Sequence, residues 1–205
     1  MPAETITKAI AARVMEAAPG TVFFPGDLLD LGTPEAIHTT FSRLAANHTL
    51  LRLAKGIYLK PKIDPELGPL KPSLEELAHK IADRDRVTVR PTGAYALNKL
   101  GLSTQVPTKV VFLTNGNAKR IVVGKSSIVF QKTTPKQLAV EQENIFLAIQ
   151  ALIAMKDQAK DPQVMRQLTQ ALAGEQPDDV RKAAKLAPQR IARMLYQLAD
   201  NIEKQ

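Results

Sequence analysis

The chain of 205 residues contains no cysteine. Disulfide bridges, thiolate nucleophiles, iron–sulfur clusters and cysteine-ligated zinc sites are therefore excluded. A long apolar run is also missing, because the richest one, from Leu147 to Met155, is interrupted by Gln150, whereas a bilayer span needs about 20 apolar residues. The first ten residues, MPAETITKAI, lack the apolar stretch of a signal peptide. These absences predict a cytoplasmic protein that has no membrane partner.

Acidic residues are missing from two long windows, 36–63 and 86–140. The formal net charge is +8, from 28 Lys and Arg against 20 Asp and Glu. Residues 71–137 carry twelve basic and four acidic side chains, whereas the segments before and after them are balanced. Because clustered positive charge concentrates anions, the two windows predict a polyanion or an acidic protein as partner.

The N-terminal pattern predicts three helices followed by two strands. Ile6, Ile10 and Val14 recur at four-residue spacing, which is typical of an amphipathic helix over 4–18. A short second helix is predicted over 27–31, and Thr33 with Pro34 has the N-cap and first-position pattern of a third. Two short strands then flank a turn at residues 55–56. This order predicts a winged helix-turn-helix domain over 1–62, whose third helix enters the DNA major groove.

The exposed face of the predicted third helix supplies the candidate DNA-binding residues. Thr39, Ser42 and Arg43 could reach base edges or phosphates, and Arg52 and Lys55 on the wing could hold the adjacent backbone. The histidines near this face lack the further ligands that a metal site requires, so no metal is predicted. RNA binding and a pure protein-interaction role stay open at this point. The predicted DNA-binding set is Thr33, His38, Thr39, Ser42, Arg43, Arg52 and Lys55.

A proline-rich linker is predicted over 63–72, since repeated prolines oppose a continuous helix or a central strand. Beyond it, Ser73 and Glu76 have the spacing of a capping box that opens a helix. Strands over 109–114 and 120–123 flank Asn115-Gly116, a common hairpin signal, and 127–131 could add a third strand. The pattern from 137 onward is helical. The fold class predicted is α+β, with a basic domain over 73–205 that has a small β-sheet and a C-terminal helical bundle over 138–205.

The second acid-free window carries a predicted surface for a partner or for phosphate. Its two aromatic residues over 109–130, Phe112 and Phe130, occupy strand positions that favour inward packing, so base stacking is poorly supported. Phosphate contacts or an acidic protein remain. The surface is predicted to comprise Arg86, Arg90, Lys99, Lys109, Lys119, Arg120 and Lys125.

Motifs for catalysis fail on their spacing. Gly124-Lys125-Ser126 resembles the end of a P-loop, but the required first glycine falls at Lys119. Asp83 and Asp85 have no third carboxylate nearby to complete a magnesium site, and no glycine-flanked nucleophile elbow occurs. No catalytic residue, metal or cofactor is therefore predicted, and we expect the protein not to be an enzyme.

The combination of these segments resembles a known family. It comprises a winged helix ending in Lys55-Gly56-Ile57-Tyr58, the proline-bearing linker, RPTGAYALNKLGL at 90–102, and the segment 109–116. Over roughly residues 1–135 the chain resembles the AbiEi-type antitoxins of bacterial type IV toxin–antitoxin systems. The resemblance implies an N-terminal domain that represses its own operon and a C-terminal domain that counteracts a nucleotidyltransferase-like toxin, with or without stable binding.

A second hypothesis makes the chain a non-enzymatic adaptor. In it, the winged helix and the basic hairpin over 109–130 would grip an acidic protein partner. DNA retention distinguishes the two hypotheses, because the adaptor needs none.

Overall fold

The computed structural model describes residues 3–204, and it divides the chain into two compact units. One comprises the residues up to Lys80 together with Ile121–Ser126, and the other comprises Ile81–Arg120 and the residues from Ser127 onward. Helices and small β-sheets occur along the chain, which confirms the α+β class. The domain boundaries at residues 62 and 73 stay predictions, and residues 1–2 and 205 of those domains lie outside the described residues.

Residues 3–59 form two α-helices and a three-stranded antiparallel sheet. A single 3₁₀ turn, Pro25–Leu28, stands where the sequence predicts a second helix over 27–31. The other predicted elements of this region are confirmed, and the sheet has the strand order β1-β3-β2. The elements are α1 (Ala3–Glu16), β1 (Val22–Phe23), α2 (Pro34–Ala46), β2 (Leu51–Ala54) and β3 (Ile57–Leu59).

The core of the first unit joins α1, α2 and β3. Phe41 of α2 is fully buried, and its ring centroid lies 5.0 Å from that of Tyr58 and 6.2 Å from that of Phe23. Aromatic pairs at these distances add to the free energy gained from burial alone. One side of α2 is therefore held against the core. The buried residues of this cluster are Ile6, Ile10, Val14, Leu28, Ile37, Phe41, Leu50 and Tyr58.

A hairpin occupies most of the segment predicted as a proline-rich linker. Its strands are β4 (Lys62–Asp64) and β5 (Gly68–Leu70), with Ile63 opposite Pro69. The prolines permit this pairing because a two-stranded ribbon has only edge strands, where a residue without an N–H is tolerated.

The predicted capping box opens α3 (Leu74–Asp85). The Glu76 N–H donates to Ser73 Oγ at 3.1 Å, and the Ser73 N–H donates to Glu76 Oε2 at 2.7 Å. Both N-terminal donors are thus satisfied by the two side chains that the sequence pattern identifies.

The sheet that follows consists of the strands β6 (Val89–Thr92), β7 (Lys109–Thr114), β8 (Lys119–Val123) and β9 (Ser126–Lys132). Its strand order is β6-β7-β9-β8, in which β7 and β9 run parallel. The strands β7 and β8 are therefore not neighbours, and the predicted hairpin at Asn115-Gly116 is wrong. The helix α4 (Ala94–Lys99) lies between β6 and β7 in the chain.

The backbone at residues 115–116 explains why the hairpin does not form. A tight hairpin with Asn-Gly requires positive φ at both central residues, and neither Asn115 nor Gly116 has one. The Asn115 side chain instead accepts a hydrogen bond from the Thr88 N–H at 2.9 Å. The tight turn lies between β8 and β9, where Gly124 has a φ of 59°.

The predicted helical pattern after residue 137 is confirmed in its main elements. The start of this pattern is interrupted, because α5 ends at Leu138 and α6 starts only at Glu143. Arg181 joins two of the helices, donating to Asp178 at 3.2 Å, Asp200 at 3.0 Å and Glu203 at 2.5 Å. The helices are α5 (Pro135–Leu138), α6 (Glu143–Met155), α7 (Pro162–Ala171), α8 (Pro177–Ala184) and α9 (Gln189–Glu203).

Apolar faces of these helices form the core of the second unit. Ile145, Phe146 and Leu152 of α6 are fully buried among residues of α7, α8 and α9, including Leu168, Val180 and Leu195. Within residues 3–204, no helix is both long and apolar enough to cross a lipid bilayer.

Replacement of Gly116 tests the close approach behind β7. A Cβ atom at Gly116 would lie 2.6 Å from Cγ1 of Val87, so we expect Gly116→Ala to lower the free energy of unfolding by about 1–3 kcal/mol. Gly174→Ala is the matched control, because a Cβ there meets nothing within 4 Å. Urea denaturation of both variants measures the difference, and equal stabilities would contradict the observed packing.

Candidate nucleic-acid interface

The helix α2 begins at the cap that the sequence predicts. Thr33 has an extended backbone, and its Oγ1 accepts a hydrogen bond from the Ala36 N–H at 3.4 Å. Pro34 occupies the first turn, where its missing N–H leaves no hydrogen bond unmade. Because Ile37, Thr40 and Phe41 are buried, the register of the helix turns its opposite side outward.

We define the outer face of α2 as its solvent-exposed side from Glu35 to Ala46. All the residues predicted there are exposed: Thr33, at the cap, is followed by His38, Thr39, Ser42 and Arg43. The residues at 39, 42 and 43 share one side because they stand three and four positions apart. The Thr39 hydroxyl donates to the Glu35 carbonyl at 2.8 Å, so its oxygen stays available as an acceptor.

The β2–β3 hairpin carries the two remaining residues of the predicted set, Arg52 within β2 and Lys55 in the turn. Arg52 and Lys55 are exposed, and Gly56, with a φ of 71°, allows the tight reversal after Lys55. Among the side chains that the structure describes, none forms a hydrogen bond or an ion pair with the side chain of Arg43, Arg52 or Lys55. These three cations can therefore meet an external anion without first losing an internal partner.

Lys60, which lies in the same acid-free window, has a different role. Its Nζ donates to the carbonyl oxygens of Met15 at 2.6 Å and Ala17 at 2.7 Å, at the C-terminal end of α1. A cation at this end of a helix satisfies free carbonyls and complements the helix dipole. Lys60 therefore stabilises the first unit and does not belong to the interface.

Arg90 does not lie on the basic surface to which the sequence analysis assigns it. The residue is only 9% exposed. Its Nη1 donates to the Val140 carbonyl, its Nη2 lies 3.3 Å from Glu143 Oε2, and its Cζ lies 3.9 Å from the centre of the Phe146 ring. Burial lowers the pKa of Arg90, and the charge of Glu143 opposes that shift. The sequence window 86–140 gives no sign of this role, because the acidic partner, Glu143, lies just after its last residue.

Two further lysines of the predicted surface are paired with acids. Lys99 Nζ lies 3.8 Å from Glu143 Oε1. Lys119 forms an ion pair with Asp85, and its Nζ lies 5.1 Å from the centre of the Phe130 ring. This pairing also accounts for Asp85, the second carboxylate considered for a magnesium site.

The rest of the predicted surface is exposed and comprises Arg86, Lys109, Arg120 and Lys125. Arg86 has a φ of 55° and ends α3, with the Val87 N–H donating to the Ala82 carbonyl at 3.0 Å. Within the described part of the chain, no group of three or more His, Cys, Asp or Glu side chains could hold a metal ion.

Sequence reasoning missed Glu143, the acid that contacts both Arg90 and Lys99. Arg90 and Glu143 are 53 positions apart in the chain, and no local pattern in the sequence links them.

Comparison with known proteins identifies one family. DUF6088, a family of unknown function, matches residues 9–180. That range includes α2, the β2–β3 turn and the whole four-stranded sheet. No curated protein matches the chain.

The distinction between buried and exposed arginines can be measured. We expect Arg90→Met to lower the free energy of unfolding by about 2–3 kcal/mol, because it leaves the Val140 carbonyl without its charged donor. Arg120→Met, at an exposed position, should change that free energy by less than about 0.5 kcal/mol. Urea denaturation provides both values. Similar changes in the free energy of unfolding for the two variants would contradict the buried, structural role of Arg90.

Proposed function

We propose that this chain, which belongs to the DUF6088 family, is a non-enzymatic transcriptional repressor that binds operator DNA through a winged helix-turn-helix formed by α1 to β3. The observation that carries the proposal is the outer face of α2. It presents two hydroxyl side chains and an arginine to solvent while the inner side packs in the core. The B-DNA major groove is wide enough to accept such a helix.

The side chains of this face have the chemistry for reading base edges. Arg43 can donate two hydrogen bonds to O6 and N7 of a guanine. Thr39 can accept a hydrogen bond from a base amino group, and Ser42 can contact a base edge or a phosphate. His38 adds a further polar group on the same helix. In the proposed complex these residues provide sequence preference, and the cap at Thr33 fixes the register of the helix.

The β2–β3 hairpin serves as the wing. Arg52 and Lys55 are placed there to contact the sugar–phosphate backbone next to the groove, which supplies affinity without reading sequence. Duplex DNA is favoured over an acidic protein because the exposed cations of α2 and the hairpin accompany hydroxyl groups.

The antitoxin half of the proposal rests on the sequence resemblance at 90–102 and 109–116. In it, the predicted domain over 73–205 counteracts a nucleotidyltransferase-like toxin, either by contact or by an indirect effect. The cations available for contact are those that remain exposed without an internal acid, namely Arg86, Lys109, Arg120 and Lys125.

Titration of the full chain with labelled duplex DNA from upstream of its own reading frame tests the repressor proposal. We expect tighter binding to this DNA than to random duplex. Arg43→Ala should lose about 1–3 kcal/mol of that preference. Lys55→Ala should weaken binding to both duplexes alike and lower the slope of log K against log salt by about 1.

Lys185→Ala is the control for the removal of one exposed positive charge, and its affinity for both duplexes should equal that of the unaltered chain. The repressor proposal fails if the chain does not prefer the upstream DNA. An equal loss of preference in Arg43→Ala and Lys55→Ala would show that the reading face is misassigned.

Growth assays test the antitoxin half. Where a nucleotidyltransferase-like reading frame adjoins the gene, its expression alone should arrest growth, and co-expression of this chain should restore it. The Arg43→Ala variant should still rescue, because the repressor face is not part of that activity. Arrest that persists with the full chain present would refute this half and leave the repressor half standing.

A further inference from the structure

The second unit contains a cavity of about 240 Å³ that is lined by β6, β7, β9, α5, α6 and the α8–α9 connection. Its floor is apolar, with Leu113, Val140 and Ile149 each no more than 8% exposed. A dry apolar cavity of roughly 150 Å³ is large enough to bind benzene. The space is therefore sufficient for a small organic molecule with an apolar body.

One buried polar side chain faces this space. Gln150 is 5% exposed, and its Oε1 accepts a hydrogen bond from the Thr92 hydroxyl at 2.6 Å. No hydrogen bond joins its amide nitrogen to a residue whose side chain the structure describes. Every buried side-chain nitrogen and oxygen of those residues has a partner, so an amide nitrogen without one is not fully buried. The nitrogen is thus accessible, and since Gln150 lines the cavity, its N–H groups are presented there.

The rim adds a second donor and a positive charge. Gln137 lines the cavity, and its Oε1 accepts a hydrogen bond from the Thr133 hydroxyl. This bond orients its amide nitrogen away from Thr133, as the bond from Thr92 does for Gln150. Lys136 also lines the cavity, and none of the described lining residues is acidic. The polar part of the lining is therefore rich in donors and carries one positive charge.

We infer that this cavity binds a small organic carboxylate. The apolar part of the ligand lies on Leu113, Val140 and Ile149. Its carboxylate accepts a hydrogen bond from Gln150, and Lys136 balances its charge. An ionised carboxylate only accepts hydrogen bonds. It therefore suits Gln150 and Gln137, whose amide oxygens already accept hydrogen bonds and whose N–H groups are left to donate. An amine is disfavoured as the ligand because no acidic side chain lines the cavity. A phosphate is disfavoured because a single lysine does not balance its charge. This site is separate from the proposed DNA interface and requires none of its residues.

Hexanoate is the probe for the first measurement, with hexylamine and hexan-1-ol as analogues of the same chain length. Amide resonances of the full chain are followed by NMR while each compound is added. Hexanoate should shift the resonances of Val140, Gln150 and Ala187 saturably and leave those of α1 unchanged. Hexanol should bind at least fivefold more weakly, and hexylamine should not saturate.

Lys136→Gln separates the charge in the cavity from charge nearby. The substitution at this exposed residue should weaken hexanoate about fivefold and leave hexanol unchanged. Lys132→Gln is the matched control, since Lys132 is an exposed lysine of the same segment that does not line the cavity, and its affinity for hexanoate should stay unchanged. Gln150→Met, which removes the donor and keeps an unbranched chain, should weaken hexanoate more than hexanol.

Three results would overturn the inference. They are the absence of saturable shifts at the cavity residues, equal affinities for hexanoate and hexylamine, or equal losses in Lys136→Gln and Lys132→Gln. None of them bears on the repressor proposal, whose DNA titration is performed without these compounds.

Discussion

The packing of Phe41 against Tyr58 and Phe23 determines which side of α2 meets solvent. Phe41 and Ile37 are fully buried, and full burial of a large apolar side chain contributes roughly 1.5–3 kcal/mol. A rotation of the helix that turned Arg43 inward would expose both apolar residues and bury a charge, so the observed orientation is strongly favoured. The outward display of Thr39, Ser42 and Arg43 thus follows from a core interaction that involves none of them.

In the second unit a buried cation has the corresponding role. Arg90 contacts the Val140 carbonyl, Glu143 and the Phe146 ring, so it joins β6 to the segment that leads into α6. Together with Lys99 and Lys119, it shows that the basic composition of residues 86–140 overstates the positive charge available on the surface. The first unit is neutral in composition up to residue 70, yet α2 and the β2–β3 hairpin hold three exposed cations that have no partner among the described side chains. The exposure of individual charged side chains is therefore more informative here than the net charge of each segment.

Features set by neighbouring residues could be predicted from the sequence. The Thr33 cap, the Ser73–Glu76 capping box and the amphipathic helix around Ile10 depend on interactions three or four positions apart. The predicted hairpin at Asn115-Gly116 failed because β9 inserts beside β7, and local turn signals do not report which strand pairs with which. The prediction that places Arg90 on the basic surface failed for the same reason, since its acceptor at Val140 is 50 positions away in the chain. All seven predicted DNA-binding residues are exposed, and for the four that lie on α2 helical periodicity alone separates the two sides of the helix.

The central claim is that the outer face of α2 and the β2–β3 turn contact operator DNA. Amide NMR spectra of the full chain, recorded during titration with the upstream duplex, test it residue by residue. We expect the largest shifts at Thr39, Ser42, Arg43 and Lys55, and none along α9. Shifts concentrated at Lys109 and Arg120, with α2 unchanged, would contradict the account.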